Sequence, residues 1–447
     1  MSNLNLRYAY PSYFQHSPQQ QNLTFAHFSQ AENYQQHSCF FDGQAKNPML
    51  LAKALVTLSH IIRADFSPRP KPVYDPIVTA GQQQLRFEGF SSCNSMYVHL
   101  DIFDDALSGH FFAQGTTHVN FNDPILTALS ALKKDQNLHF RIGLDAVNMQ
   151  LHDTYFTEQK VKLSPRWLKA LTEVQYELAQ LDEKMQLDLR QSRQLWQVLP
   201  KKSAETTLYL QQQGQHCQLS PIATAHSVAL CALERLHLLQ PLAPYIEKIK
   251  IYQQHQNGSC ALVLYLPHMH FTCLLSPSVL RGFSGEGQYL DQLLHDLPLD
   301  WVMQVQQHFQ GNENFNLDQL EIAQPWSDVQ KQQLKTTLSA MGLLGFDLEQ
   351  DDYFYRRLPL KFKQILSLNP RLKHAQRLLE TEKILHLKQH NDRIEAEVQG
   401  SEDQHHVLIR GKHAQCTCEW FQRHQQQRGL CQHILAVKVA ALNLKAT

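Results

Sequence analysis

Four residues near the carboxyl end have the types and spacing of a metal site: Cys416-Thr-Cys418, twelve intervening residues, then Cys431-Gln-His433. Two cysteines two apart in an extended segment project to the same side, because strand side chains alternate with period two. One ion can then take both thiolates. Cys431 and His433 cannot share an ion from inside a regular helix, since two residues turn about 200°. The spacing therefore predicts Cys431 just before a helix and His433 in its first turn. Three sulfurs and one imidazole complete a tetrahedral set with no position left for water, which is structural chemistry. Soft thiolates select zinc over magnesium or calcium. One such ion contributes on the order of 10 kcal/mol to the folding of a small module.

Those four residues need elements to hold them. Ile384-Leu-His-Leu387, Ile394-Glu-Ala-Glu-Val398 and Val407-Leu-Ile409 read as a small three-stranded sheet, too small to be stable without such a staple. Ile434 to Leu442 reads as a helix packing back on it, and Pro370–Glu380 as a short helix ahead of it.

The set Cys416-x-Cys418…Cys431-x-His433 behind the hairpin Ile394–Ser401 resembles the SWIM-type zinc finger. Cys416-Thr-Cys-Glu-Trp-Phe421, Arg428-Gly-Leu-Cys-Gln-His-Ile-Leu-Ala436, Tyr353-Phe-Tyr-Arg-Arg-Leu-Pro359 and Asn369-Pro-Arg-Leu372 are similar to a bacterial family of stand-alone SWIM proteins. Ser91–Tyr97 and Arg281–Gly287 resemble it more weakly. The zinc motif itself spans only about the last tenth of the chain. The resemblance implies binding of DNA or protein. It also implies partners encoded beside the family, a MoxR-like AAA+ ATPase and a von Willebrand factor A protein. Glu419 and Gln432 stand where similar sequences often have Pro and Lys.

Arg410, Lys412, Arg423, Arg428 and Lys438 surround the zinc ligands, with Trp420 and Phe421 between Cys418 and Cys431. Bases interleaved with aromatics suit phosphate contact and stacking. The alternative makes both aromatics the module's own small core. Charge patterning favours binding: from Arg356 onward there are 16 Lys+Arg and 8 Asp+Glu, so a chain of zero net charge carries a basic tail on an acidic body.

A chain of 447 residues, 43% apolar and 18% charged, is neither disordered nor membrane-spanning in pattern. No apolar run reaches the ~18–20 residues of a bilayer helix. Met1 to Phe25 lacks the apolar core of a secretory signal, and six of the nine cysteines are scattered without a disulfide framework. Both point to a reducing cytoplasm. The expected fold class is α+β: a multi-domain mixed body with antiparallel strands and a long helix, plus a small C-terminal ββ(β)α zinc module. The expected segments are 1–70 (a helix at Pro48–Phe66, otherwise irregular), 71–200 (α+β, ending in the long helix), 201–355 (α+β) and 356–447 (the zinc module). The long helix is read from Trp167, Leu171, Val174, Leu178, Leu181, Met185 and Leu189, continuing to Leu199. Ala223–Leu239 reads as a further helix. Ile249–Tyr252, Ala261–Leu266 and Phe271–Leu275 read as antiparallel strands.

Enzyme chemistry lacks a motif. There is no G-x-x-x-x-G-K-[ST], G-x-S-x-G or H-E-x-x-H. Arg281–Gly287 is glycine-dense but lacks the lysine of a phosphate loop, so it reads as a tight turn. Cys93 with His118 as base, and a second metal set of His268, His270, Cys273 and Cys260, are weaker candidates than a buried thiol and a plain hairpin. The acidic run Asp347, Glu349, Asp351 and Asp352 reads as solvated surface. The expectation is a non-catalytic zinc protein whose module binds nucleic acid, in first place DNA. The alternative is an adaptor for an AAA+ ATPase system. No small-molecule substrate and no membrane partner are indicated.

Overall fold

The computed structural model describes residues 4–7, 13–16, 21–24, 39–68, 73, 76–81, 83–118, 121, 123–134, 136–142, 160–163, 165–200, 207–254, 258–279, 282–283, 327–340, 343–356, 370–390, 393–400, 403–411, 413–425 and 429–446. The body is built on an eight-stranded antiparallel sheet. Its order is Asp182–Leu187, Lys248–Gln253, Cys260–Leu266, Met269–Leu275, Met96–Phe103, Gln84–Phe90, Ile77–Ala80 and Gly115–His118. Both faces are covered, so its central strands are buried along nearly their whole length. The side chains still sort by period two: Leu262 and Leu264 enter one core, Ala261 and Val263 the other.

Against the first face packs helix Pro48–Arg63, whose apolar stripe (Leu51, Leu55, Leu58, Ile62) meets Val98 and Leu100. Asn47 starts that helix by accepting from the Leu50 N–H at 3.2 Å, with Pro48 in the first turn. Against the second face lie helices Pro165–Leu178 and Asp328–Ala340 and the hairpin Leu344–Asp347/Asp352–Tyr355. The segments 71–200 and 201–355 contribute five and three strands to this one sheet.

The long helix expected from Ser164 to Leu199 does not form. Helix Pro165–Leu178 ends, strand Asp182–Leu187 follows, and a second helix runs Leu189–Val198. Met185 and Leu187 satisfy an alternating pattern as well as a helical one, and they pair with Ile251 and Ile249 on the sheet edge. Asp188 and Gln191 then form a reciprocal capping box that starts the new helix. The helix expected at Ala223–Leu239 is likewise replaced by strand Val228–Leu230 and a 3₁₀ run Leu233–Tyr245. Ala232 at φ 53° separates them, and Pro241 and Pro244 lie inside the run. Among the described residues ahead of Cys39 are three short strands, of which Gln21–Thr24 pairs in parallel with Leu138–Ile142. The sequence also reads as helical at Tyr289–Leu294, a stretch that lies outside the described residues. Among the described residues no helix is long and apolar enough to cross a membrane.

The C-terminal module has a core of its own. Strands Ile384–His390, Arg393–Gln399, Gln404–Arg410 and His413–Cys416 pair antiparallel in chain order. This is one strand more than expected, and the added strand carries Cys416. Ala396, Val398, Val407, Ile409 and Ala414 face inward, covered by helices Pro370–Glu380 and Gln432–Ala446 through Leu372, Ala375, Ile434 and Leu435.

Candidate metal centre and its surface

Each zinc ligand is set by a local rule. Cys416 ends strand His413–Cys416 opposite Val407, so its side chain points into the core. Cys418, two residues on, begins the short helix Glu419–His424, and its sulfur accepts from the Phe421 N–H at 3.4 Å. Cys431 precedes helix Gln432–Ala446, its carbonyl accepting from the Leu435 N–H at 3.1 Å. His433 sits in the first turn. The four ligand atoms lie within 4.8 Å of one another and all four residues are buried. Cys416 Sγ and His433 Nδ1 are 3.8 Å apart. Three thiols and an imidazole, buried together within reach of one point, are a donor set that one zinc ion fits.

The thiols already share charge among themselves. Hydrogen bonds to Cys418 and Cys431, with burial, push the Cys416 thiol far up. Cys418, receiving bonds from Cys416, Cys431 and His433 and from the Phe421 N–H, is held far below the usual thiol range. At Cys431 the bond with Cys416 pulls down, but Cys418 and burial outweigh it and push the thiol up to about 12. Three thiols this close resist ionising together without a neighbouring positive charge. A bound zinc supplies the positive charge that lets all three ionise.

The five basic residues expected around the site part company. Arg410 is exposed at a strand end, in register with Arg393 on one side and His413 on the other. Arg423 is exposed and meets Glu419 one helical turn back. Lys438 is half-buried on the closing helix. Lys412 and Arg428 lie outside the described residues. The two aromatics split as well: Phe421 is core, whereas Trp420 is half-buried beneath the Arg371 guanidinium, 4.7 Å from its ring centroid. Helix Pro370–Glu380, with Arg371, Lys373, His374 and Arg377, borders the site although none of its residues is a candidate contact in the sequence reading. Its one signal in the sequence is three bases against one acid in eleven residues.

The remaining candidates do not assemble. Cys93 is buried between the Ser91 and Ser95 hydroxyls at 3.5 and 3.0 Å; the His118 side chain lies outside the described residues. His268 occupies a turn and meets Asp105 at 2.6 Å, His270 packs against Tyr265 and Phe103, and Cys260 lies 3.4 Å from Cys231. Of the glycine-dense loop, Gly282 and Phe283 are described. Their N–H groups already bond Ser278 O and Asn94 O at 2.9 and 2.6 Å, which makes a turn and leaves neither donor for a phosphate. The acidic run is not all solvated: Asp347 binds Arg86 at 3.1 Å and Glu349 accepts from the Tyr252 hydroxyl at 2.5 Å.

Sheet, closing helix and donor set define a structural zinc finger. Residues 398–442 match the SWIM zinc finger family. Among curated proteins none matches the chain. Among solved structures, the Proliferating Cellular Nuclear Antigen of Entamoeba histolytica covers 54% of this chain and 99% of its own, at 12% identity and TM-score 0.34. The PCNA2–PCNA3 complex of Sulfolobus tokodaii covers 53% and 99%, at 11% identity and TM-score 0.35. Superpositions this loose decide neither fold nor partner.

Proposed function

We propose that the protein is a non-catalytic nucleic-acid-binding protein whose C-terminal module, ordered by one zinc ion, contacts DNA. The observation that carries this reading is a set of basic side chains around the metal centre: Arg371, Lys373 and Arg377 stand on a helix that shares the module's core with the elements holding the four ligands, and Arg410 is exposed at a strand end of the same sheet. A complete protein donor set supports a structural ion over a catalytic one. Ligands that are mostly thiolates support a reducing, cytoplasmic setting, since oxidation destroys such a set.

The test is fluorescence anisotropy of the full-length, zinc-loaded chain with labelled duplex DNA, single-stranded DNA and RNA across a salt series. Affinity that falls steeply with salt and is lost on chelation supports the reading. Binding that is absent, or indifferent to both, overturns it. An adaptor role is favoured by one feature, a groove of about 1000 Å³ on the open face of the module's sheet, lined in part by His386, Lys388, Glu397, His406 and Gln422. Co-purification of an AAA+ ATPase that survives nuclease treatment supports that second reading instead.

A further inference from the structure

Helix Pro370–Glu380 lies outside the 398–442 segment that matches the finger family, yet it is built into the finger. Leu372 and Ala375 belong to the same core as Ile434 and Leu435. The Arg371 guanidinium donates to the Leu430 carbonyl at 3.3 Å while covering Trp420. His374 Nδ1 meets Gln432 Oε1 at 3.0 Å, beside the first turn that carries His433. The helix is therefore fixed by one side to the zinc loop.

Its other side is exposed and basic. Lys373 and Arg377 stand one turn apart at i and i+4, with His374 exposed beside them. Like charges at that spacing cost a helix a few tenths of a kcal/mol. Among the described residues no carboxylate ion-pairs with either. The one acid of the helix is Glu380, at its end. On the neighbouring helix, next to Trp420, exposed Arg423 is already paired with Glu419 one turn back, so among the described residues the free charge lies on Lys373 and Arg377.

We infer that helix Pro370–Glu380 is a phosphate-backbone contact of the module, laying Lys373 and Arg377 along duplex DNA. The inference rests on the nucleic-acid reading above and names its surface. Two features favour a duplex over a single strand. Four residues of helix rise about 6 Å, close to two backbone steps of ~3.4 Å along one DNA strand. The stripe also offers charge without an open aromatic ring, so it meets phosphates and does not stack bases. The open sheet face is the less apt surface: Lys388, Arg393 and Arg410 share it with Glu395 and Glu397, and Arg393 is already paired to Glu395.

The experiment compares wild type, Lys373→Glu/Arg377→Glu and the open-face control Lys388→Glu/Arg393→Glu. Each is the full-length, zinc-loaded chain, checked for equal zinc content, and Lys373→Gln/Arg377→Gln serves should the reversal disturb folding. Binding to a labelled 25-base-pair duplex and to the matching single strand is followed over the salt series. The helix variant is expected to lower the slope of log K against log salt by about two, at ~0.9 for each phosphate no longer neutralised, and to weaken binding more than tenfold. The control is expected to keep the wild-type slope. A wild-type slope in the helix variant, or weakening confined to the control, overturns the assignment while leaving nucleic-acid binding intact. Tighter binding of the single strand overturns the duplex. Wild type that binds neither probe removes the nucleic-acid reading itself.

Discussion

The Arg356 guanidinium donates to the Glu88 carboxylate inside the body, with both side chains almost wholly buried. The Tyr97 hydroxyl donates to the second oxygen of Glu88 at 2.5 Å. Arg356 directly follows strand Asp352–Tyr355, so this pair anchors the hairpin to the second face of the sheet. Arg86 makes the parallel anchor, holding Asp101 at 2.5 and 2.9 Å and reaching Asp347 across to the hairpin. Burial opposes charge on Asp101, but Arg86 and His99 outweigh it and hold the carboxyl below its ordinary range.

Removing one partner of such a pair strands a charge in a dry site. Glu88→Gln or Arg356→Met alone should cost ~3–5 kcal/mol, whereas the double variant should cost less than the sum of the two. Urea unfolding of the three variants measures this. Strictly additive losses would show that the two groups do not stabilise each other.

Glu177 gives a pH dependence of fixed sign. It is buried on helix Pro165–Leu178, and loss of solvent raises its carboxyl to about 7 despite a hydrogen bond from Ser259. The folded protein therefore holds this proton more tightly than the unfolded chain, whose glutamates titrate near 4.3. Stability linked to this proton is full below about pH 4 and is lost as pH rises toward 7. The loss is ~3 kcal/mol in order of magnitude. Glu177→Gln should be more stable than wild type at pH 8 and nearly equal to it at pH 4. Thermal melts at the two values decide; an equal offset at both would contradict the assignment.

The metal set is legible in the sequence because its evidence is local. Ligand chemistry, spacing and the turn rules at a helix start are all carried by eighteen consecutive residues, Cys416 to His433. The strands at Lys248–Leu275 are legible for the same reason, through alternation and short turns. What stays hidden is long-range. Nothing local says that Asp182–Leu187 joins a sheet rather than continuing a helix, because Leu181, Met185 and Leu189 satisfy both periods until the edge strand Lys248–Gln253 supplies hydrogen bonds. Asp347 reads as surface because charges usually are, and its partner Arg86 lies 261 residues away. The basic stripe of helix Pro370–Glu380 carries no motif, and only folding brings it beside a zinc loop nearly sixty residues further along the chain.

Two glycines test the turn beside the Ser91–Tyr97 stretch. Gly282 and Gly214 both have left-handed φ, +53° and +58°, so alanine at either costs roughly 1–2 kcal/mol in backbone strain. At Gly214 a Cβ meets nothing within 4 Å, whereas at Gly282 it would stand 2.2 Å from the Asn94 carbonyl oxygen. Gly282→Ala should therefore lower stability by ~2 kcal/mol or more beyond Gly214→Ala. Chemical denaturation of both compares them directly, and equal losses would mean that the loop moves aside freely.

Zinc removal should divide the molecule's stability. The module's core is separate from the two cores of the body and has the four ligands at its centre. A four-stranded sheet and three helices of this size bury too little apolar surface to fold strongly alone, and the ion supplies on the order of 10 kcal/mol. Chelation, or Cys416→Ser, should abolish the zinc of the purified chain and expose residues 370–446 to protease, while the body's thermal transition persists. Cys273→Ser, at a buried thiol of the body sheet, should leave zinc content unchanged. Elemental analysis with limited proteolysis reads both arms. Retention of the metal in Cys416→Ser, or a protected module after chelation, would mean that something other than these four side chains holds the finger together.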